Sequence, residues 1–231
     1  MKKNRIIQVE NEEDRINLTL GLIRTAYNDY IAARVLLNKN YTLQGIILAS
    51  TALEKYFKAL IVYHSSKIRR IHFDNFKEIK EAVEEIGYGV LIDKIDPLFI
   101  EILSNAYPLR YYDNIKKETS IGFFKNQFLG ELDAAVYWFD FTVNITDEKG
   151  TGFSPLKRDY QNKNPDLLEN NWVAQKPPLD KKKFMETDCE GFAIYLHPKY
   201  LFSQVNVTSV KLTVPYEGSM KLINVKPDGR I

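Results

Sequence analysis

TLQGIILASTALEKYFKALIVYH, residues 42 to 64, carries apolar side chains around most of a helical circumference. Leu43, Ile46, Ile47, Leu53, Phe57, Leu60 and Ile61 share one side, and Ala49, Ala52, Tyr56, Ala59 and Tyr63 fill the other. A helix apolar on most faces belongs in the middle of a bundle, surrounded by other helices. Its few charges include Glu54 and Lys58, an i,i+4 pair in the favourable order, worth about 0.2–0.5 kcal/mol if exposed.

Working outward, residues 12 to 38 place Ile16, Leu20, Ile23, Tyr27, Ile31 and Val35 on one face, which predicts a first long helix broken by Asn38, Lys39 and Asn40. On the other side, a polar turn from Ser65 to His72 leads to a shorter helix with Phe76, Ile79, Val83 and Ile86. Asp74 or Asn75 caps that helix, and Gly87 and Gly89 stop it. Asp96 followed by Pro97 reads as an N-cap with proline at the first helical position, opening a helix through Leu98, Phe99, Ile102, Leu103 and Ala106 that Pro108 ends or kinks. Phe124, Phe128, Leu132, Val136, Phe139 and Val143 mark a last helix from about Gly122 to Asn144. The expectation is a mainly α protein: an up-and-down antiparallel bundle of four to five helices over residues 1 to 145.

Beyond Ile145 the helical period is lost. Residues 146 to 189 mix Gly, Pro, Asn and Lys with isolated apolar residues such as Leu167, Leu168 and Trp172, and predict an ordered but irregular arm or a partly mobile linker. Alternation of period two follows at Phe192, Ile194 and Leu196, at Val210, Leu212 and Val214, and around Leu222 to Val225. The last two stretches form a hairpin through Pro215 to Gly218. Two or three short strands are marginal alone, so this small β-containing extension, 146 to 231, leans on the bundle or on a second subunit.

Composition excludes several classes. With 45% hydrophobic and 27% charged residues the chain is no disordered polyelectrolyte, and a net charge of +2 confines any anion site to a local patch. The single cysteine, Cys189, forms neither an internal disulfide nor a thiolate metal cluster, and fits a reducing compartment. The basic start is followed by Glu10, Glu12, Glu13 and Asp14 rather than by an apolar stretch, which argues against a signal peptide and for a cytoplasmic protein. Glu54, Lys55 and Lys58 interrupt the most apolar segment well short of the roughly 20 residues a membrane span needs. Asn-x-Thr sequons at Asn17, Asn40, Asn144 and Asn206 are read as chance in an Asn-rich chain.

Three separated stretches carry a resemblance. They are Ala33-Arg34-Val35-Leu36-Leu37 followed by Ala49 to Leu60 with its Glu54-Lys55-x-x-Lys58-Ala59-Leu60 ending, His72 before the third helix, and Tyr107-Pro108-Leu109-Arg110-Tyr111-Tyr112-Asp113. In order and spacing they resemble the HEPN domain family over residues 12 to 145. His72-Phe73-Asp74 departs from the family's His-Asp-Leu wording, and Tyr112 stands where proline is usual. The resemblance implies a helical bundle, usually a homodimer, that binds nucleotides or RNA, sometimes beside a nucleotidyltransferase partner. One branch of the family cleaves RNA with an arginine and a histidine a few residues further on. No arginine stands at that spacing before His64, His72 or His197, and downstream of Arg110 the corresponding positions are Ile115, Lys116 and Lys117.

The candidate contact residues are therefore Arg110, which suits a phosphate bidentately, and Tyr107, Tyr111 and Tyr112, whose rings can stack on a base, with Lys116 and Lys117 adding positive charge. His64 reads as a core or helix-end histidine, and His72-x-Asp74 lacks the further ligands of a metal site. Lys67, Arg69 and Arg70, and Lys181 to Lys183, read as solvated charge. No cofactor, metal or catalytic residue is indicated. The reading is a non-catalytic binding module for a nucleotide, RNA or protein partner, with a divergent ribonuclease and a purely protein-interacting subunit as alternatives.

Overall fold

A computed structural model describes residues 7–9, 11–65, 67–68, 71–110, 119–143, 152–175, 180–186, 191–196, 203–207 and 219–220. In chain order these hold β1 (Ile7–Gln8), α1 (Glu12–Asn38), α2 (Thr42–His64), β2 (Lys67–Ile68), a 3-10 turn at Phe73–Asn75, α3 (Phe76–Glu85), α4 (Gly89–Asp93) and α5 (Pro97–Ala106). A second 3-10 turn at Tyr107–Arg110 follows, then β3 (Thr119–Phe124), α6 (Lys125–Thr142), α7 (Pro155–Gln161), α8 (Pro165–Leu168), α9 (Lys181–Glu186), β4 (Gly191–Leu196) and β5 (Ser203–Val207). The fold is mainly α with a small β-containing extension.

Local chemistry sets the helix ends. Asn11 caps α1 by accepting from Glu13 N at 3.0 Å, and Glu12, Glu13 and Asp14 favour the positive end of the helix dipole. At the other end Asn40 takes a left-handed φ of 64° and Tyr41 N donates to Leu36 O, so the chain reverses at once into α2. Gly45 permits the close approach of the two helices, since a Cβ there would lie 2.6 Å from Leu37 Cγ. Gly87, φ 84°, stops α3 as its composition predicts, whereas Gly89 opens α4 instead of ending a helix. Asn75 occupies the N-cap of α3 without a side-chain cap bond, so neither it nor Asp74 supplies the expected cap. Asp96 does cap α5: Oδ1 accepts from Leu98 N at 2.8 Å, and Oδ2 accepts from Met220 N at 2.6 Å.

The central helix is α2, with Ile46, Ala49, Ala52, Leu53, Phe57 and Leu60 fully buried. Phe57 meets Phe139 of α6 edge-on at 4.8 Å and Phe73 at 6.3 Å, tying α2 to the last long helix and to the 3-10 turn.

Two corrections to the sequence reading concern α6 and the sheet. The last helix starts at Lys125, because residues 119–124 form β3, which the helical stripe beginning at Phe124 conceals. β3 pairs antiparallel with β4, and β4 with β5, in the order β3-β4-β5. The register sets Ile121 opposite Ile194 and Phe123 opposite Phe192, all four buried on one face. Phe123 continues to Phe128 at 4.8 Å and Phe128 to Phe99 at 4.9 Å, so the sheet shares the core of the bundle. The expected hairpin around Pro215 to Gly218 lies outside the described residues.

Where its composition predicts irregular structure, the described part of the arm holds the short helices α7, α8 and α9. Ser154 and Asn164 cap α7 and α8, each with proline at the first helical position. Arg34 of α1, fully buried, pairs with Asp133 of α6 while its Nη2 donates to Glu169 O and its Nε to Asp166 O. One guanidinium thus holds two bundle helices and the arm together.

Candidate functional site

The turn after α5 brings together pieces far apart in sequence. Pro108 cannot continue the α-helical ladder, so the chain tightens into the 3-10 turn that carries Tyr107 and Arg110. The Arg110 guanidinium carbon lies 3.6 Å from the centroid of the Tyr107 ring, and its Nε donates to Tyr107 O at 3.3 Å. A guanidinium stacked on an aromatic face is held in one plane without losing the donors at its edge.

Tyr107 in turn reaches α2 and the segment before α3. Its hydroxyl is 2.7 Å from His72 Nδ1, and His72 Nδ1 is 3.5 Å from Glu54 Oε1. Glu54 accepts from Lys58 Nζ at 2.7 Å and from the Phe73 backbone N–H at 2.9 Å. Burial raises the Glu54 carboxyl, but Lys58, the Phe73 N–H and Tyr107 outweigh it and hold the group below its ordinary value. Burial and the Glu54 charge beside it push the Tyr107 phenol up to about 12, so it stays protonated at neutral pH. The phenolic hydrogen can point to His72 or to Glu54, and the imidazole tautomer follows that choice.

Chemically this is a carboxylate hub, buried with 8% of its side chain exposed, ringed by groups that reach solvent: Lys58 at 22% and His72 at 43%. Lys58 and Arg110 against Glu54 leave one net positive charge, and protonation of His72 adds another. Such a group can bind an anion, and a half-exposed imidazole beside an arginine can also carry a proton.

Of the residues singled out in the sequence, Tyr107 and Arg110 lie in this cluster, and Tyr111, Tyr112, Lys116 and Lys117 lie outside the described residues. The sequence reading missed three members. Glu54 and Lys58 read as an ordinary helix-surface pair, and His72 as a turn residue. The available signal was that these three and Tyr107-x-x-Arg110 occur in the same separated stretches that carry the family resemblance.

The other histidine within the described residues, His64, is exposed at the C-terminal end of α2 with its ring 4.6 Å from that of Tyr88; burial and the Arg15 charge lower its basicity. Lys181 is paired with Glu131 of α6 at 2.8 Å, so that basic run anchors α9 in part rather than being wholly solvated. Arg69 and Arg70 lie outside the described residues. Among the described residues no group of three or more His, Cys, Asp or Glu side chains is gathered for a metal ion, and no helix is long and apolar enough to cross a membrane.

Comparison of the chain with protein-family models, with curated proteins and with solved structures returns no match. The HEPN resemblance therefore rests on the residues quoted for it.

Proposed function

We propose that the protein is a HEPN-like binding module whose Glu54, Lys58, His72, Tyr107 and Arg110 end takes the phosphate of a nucleotide or of single-stranded RNA. The observation that carries this reading is Arg110 stacked on Tyr107, beside Lys58 and His72, on a protein whose net charge is only +2. A guanidinium held flat on an aromatic ring matches phosphate in geometry and charge, and the near-neutral remainder keeps general polyanion affinity low. That Glu54 and Lys58, His72, and Tyr107 with Arg110, from three separated parts of the resemblance, lie together supports the same reading. By that resemblance the protein works as a homodimer, in some settings beside a nucleotidyltransferase. Titration of labelled single-stranded RNA and of ATP into wild type and Arg110→Ala tests it. Affinity that falls in the variant supports the site, and no affinity for either ligand in the wild type leaves a protein-interacting subunit instead.

One observation favours a second reading. The His72 imidazole sits 2.7 Å from the Tyr107 hydroxyl and Arg110 lies on the ring of the same tyrosine, so an arginine and a histidine share one partner although they are not at the family's sequence spacing. In that reading the cluster cleaves RNA, His72 moving the proton and Arg110 stabilising the developing phosphorane charge.

A further inference from the structure

A second cavity, which shares no residue with the Glu54 cluster, lies between α1, α6 and the arm and encloses about 230 Å³. Tyr137 of α6, Leu156 and Tyr160 of α7, Leu167 of α8, and Val173 and Ala174 beyond it supply a predominantly apolar lining. Polar bonds hold these walls where they are. Arg34 donates to the carbonyls of Asp166 and Glu169, on either side of Leu167. Asn171 donates to the Tyr30 hydroxyl of α1 at 3.3 Å and accepts from the backbone N–H groups of Val173 and Ala174. Ser154, at the head of α7, donates to Asp140 of α6 at 2.6 Å. The space is therefore built into the scaffold, the usual condition of a small-molecule site.

The polar groups that also border the cavity are occupied or out of reach. Tyr30, Asp133 and Asn171 are each at most 2% exposed, and they bond to one another and to Arg34. The Asp140 oxygens lie 2.6 and 2.8 Å from Ser154 Oγ, and the Lys157 charge also acts on that carboxylate. Lys157 and Gln161 are exposed and stand at the mouth, in water. A charged or hydrogen-bonding group taken inside would lose its hydration and gain no partner, a cost that hydrocarbon does not bear. We infer that this cavity binds the hydrocarbon body of a small uncharged molecule, about nine carbon atoms in size, whose polar end stays at the mouth beside Lys157 and Gln161.

Volume sets the size. An apolar cavity of roughly 150 Å³ takes the carbons of one benzene ring, which scales to about nine carbons in a space of about 230 Å³. Burial sets the energetics: each methylene moved from water into the cavity tightens binding about fourfold, until the cavity is full. The mouth sets the orientation, because only there does a hydroxyl keep its water or meet Gln161 and Lys157.

Straight-chain primary alcohols test this with the full chain, read by calorimetry or ligand-observed NMR. From pentanol to nonanol the affinity rises about fourfold per added carbon, and from nonanol to undecanol it rises no further. The diol with a hydroxyl at each end of the nonane chain binds about tenfold more weakly than nonanol, because one hydroxyl is buried without a partner. Leu156→Ala, at a half-buried wall position, enlarges the space, so that undecanol now binds more tightly than nonanol. No binding of nonanol by the wild type would overturn the inference. So would affinity that keeps climbing through undecanol, as adsorption to an open surface gives, or a diol as tight as nonanol, or an unmoved length limit in a folded Leu156→Ala protein. Should that variant fail to fold, the wild-type series and the diol decide alone.

Discussion

Arg34 on α1 and Asp133 on α6 form an ion pair in which neither side chain is exposed. Removing two charges from water is costly, and the pair is retained only because further hydrogen bonds satisfy it: Tyr30 donates to Asp133, and the carbonyls of Asp166 and Glu169 accept from Arg34. The arm is thereby bonded to the bundle through its backbone, at a place where the sequence shows only loop composition.

Breaking one half of this pair strands the other. Arg34→Met is expected to lower stability by about 3–5 kcal/mol in urea denaturation. Pairing it with Asp133→Leu should recover much of the loss, because no lone buried charge remains. Limited proteolysis of Arg34→Met should cut within residues 152 to 175 before it cuts the bundle. A double variant no more stable than the single one would show that the hydrogen bonds to the arm, not the charge, dominate.

Glu54 supplies the pH dependence. Its folded-state acidity is greater than the ordinary value of 4.5, so its contribution is fully present above that value and is lost as pH falls through the lower folded value. Melting temperatures between neutrality and about pH 3 should therefore drop on the acid side, and drop less steeply in Glu54→Gln. At neutral pH the same substitution keeps an acceptor for the Phe73 N–H but loses the charge facing Lys58, a cost of about 1–3 kcal/mol. Parallel acid limbs in the two proteins would mean that another carboxylate sets them.

The five long helical patterns were legible because each repeats its apolar face over several turns, as α2 does from Leu43 to Ile61. β3 was not, since six residues ahead of a helix are too few to outweigh the stripe that begins at Phe124. The proline signal that located α5 at Asp96 and Pro97 also stands at Ser154 and Pro155 and at Asn164 and Pro165. There it opens helices of 7 and 4 residues, too short for any periodicity to confirm. In the site, Arg110 and Tyr107 were visible as an unusual cluster in one stretch. Glu54 and His72 were not, because their meeting with Tyr107 depends on how α2 and α5 pack, which no local spacing encodes.

Apolar surface remains on α6: Phe141 is 69% exposed and stacks on Tyr137 at 6.4 Å. Together with the family resemblance this leads us to expect a homodimer. Light scattering after size exclusion, at roughly tens of micromolar protein, should give about twice the chain mass of 26.9 kDa. A single species at the chain mass would remove the expectation.

The decisive prediction concerns Arg110 and His72 together, because the binding and cleavage readings use the same residues differently. Replacing Arg110 by Ala removes a charge-assisted contact and should weaken RNA or nucleotide binding by roughly 1.5–3 kcal/mol. The dependence of log K on log salt should become shallower by about one unit, as for the loss of one phosphate contact. The melting temperature should hardly move, since the half-buried Arg110 packs on the outside of Tyr107 and is not itself part of the core. His72→Ala removes a partner of the Tyr107 hydroxyl and should affect binding less than Arg110→Ala, because Lys58 and Arg110 still carry the positive charge. In the binding reading, single-stranded RNA incubated at neutral pH without divalent cations stays intact with every variant. Cleavage by the wild type that disappears in both His72→Ala and Arg110→Ala, while His72→Ala still binds RNA, would replace the binding reading with the catalytic one. If instead Arg110→Ala binds as the wild type does but melts several degrees lower, the residue clamps the turn after α5, and the phosphate site lies elsewhere.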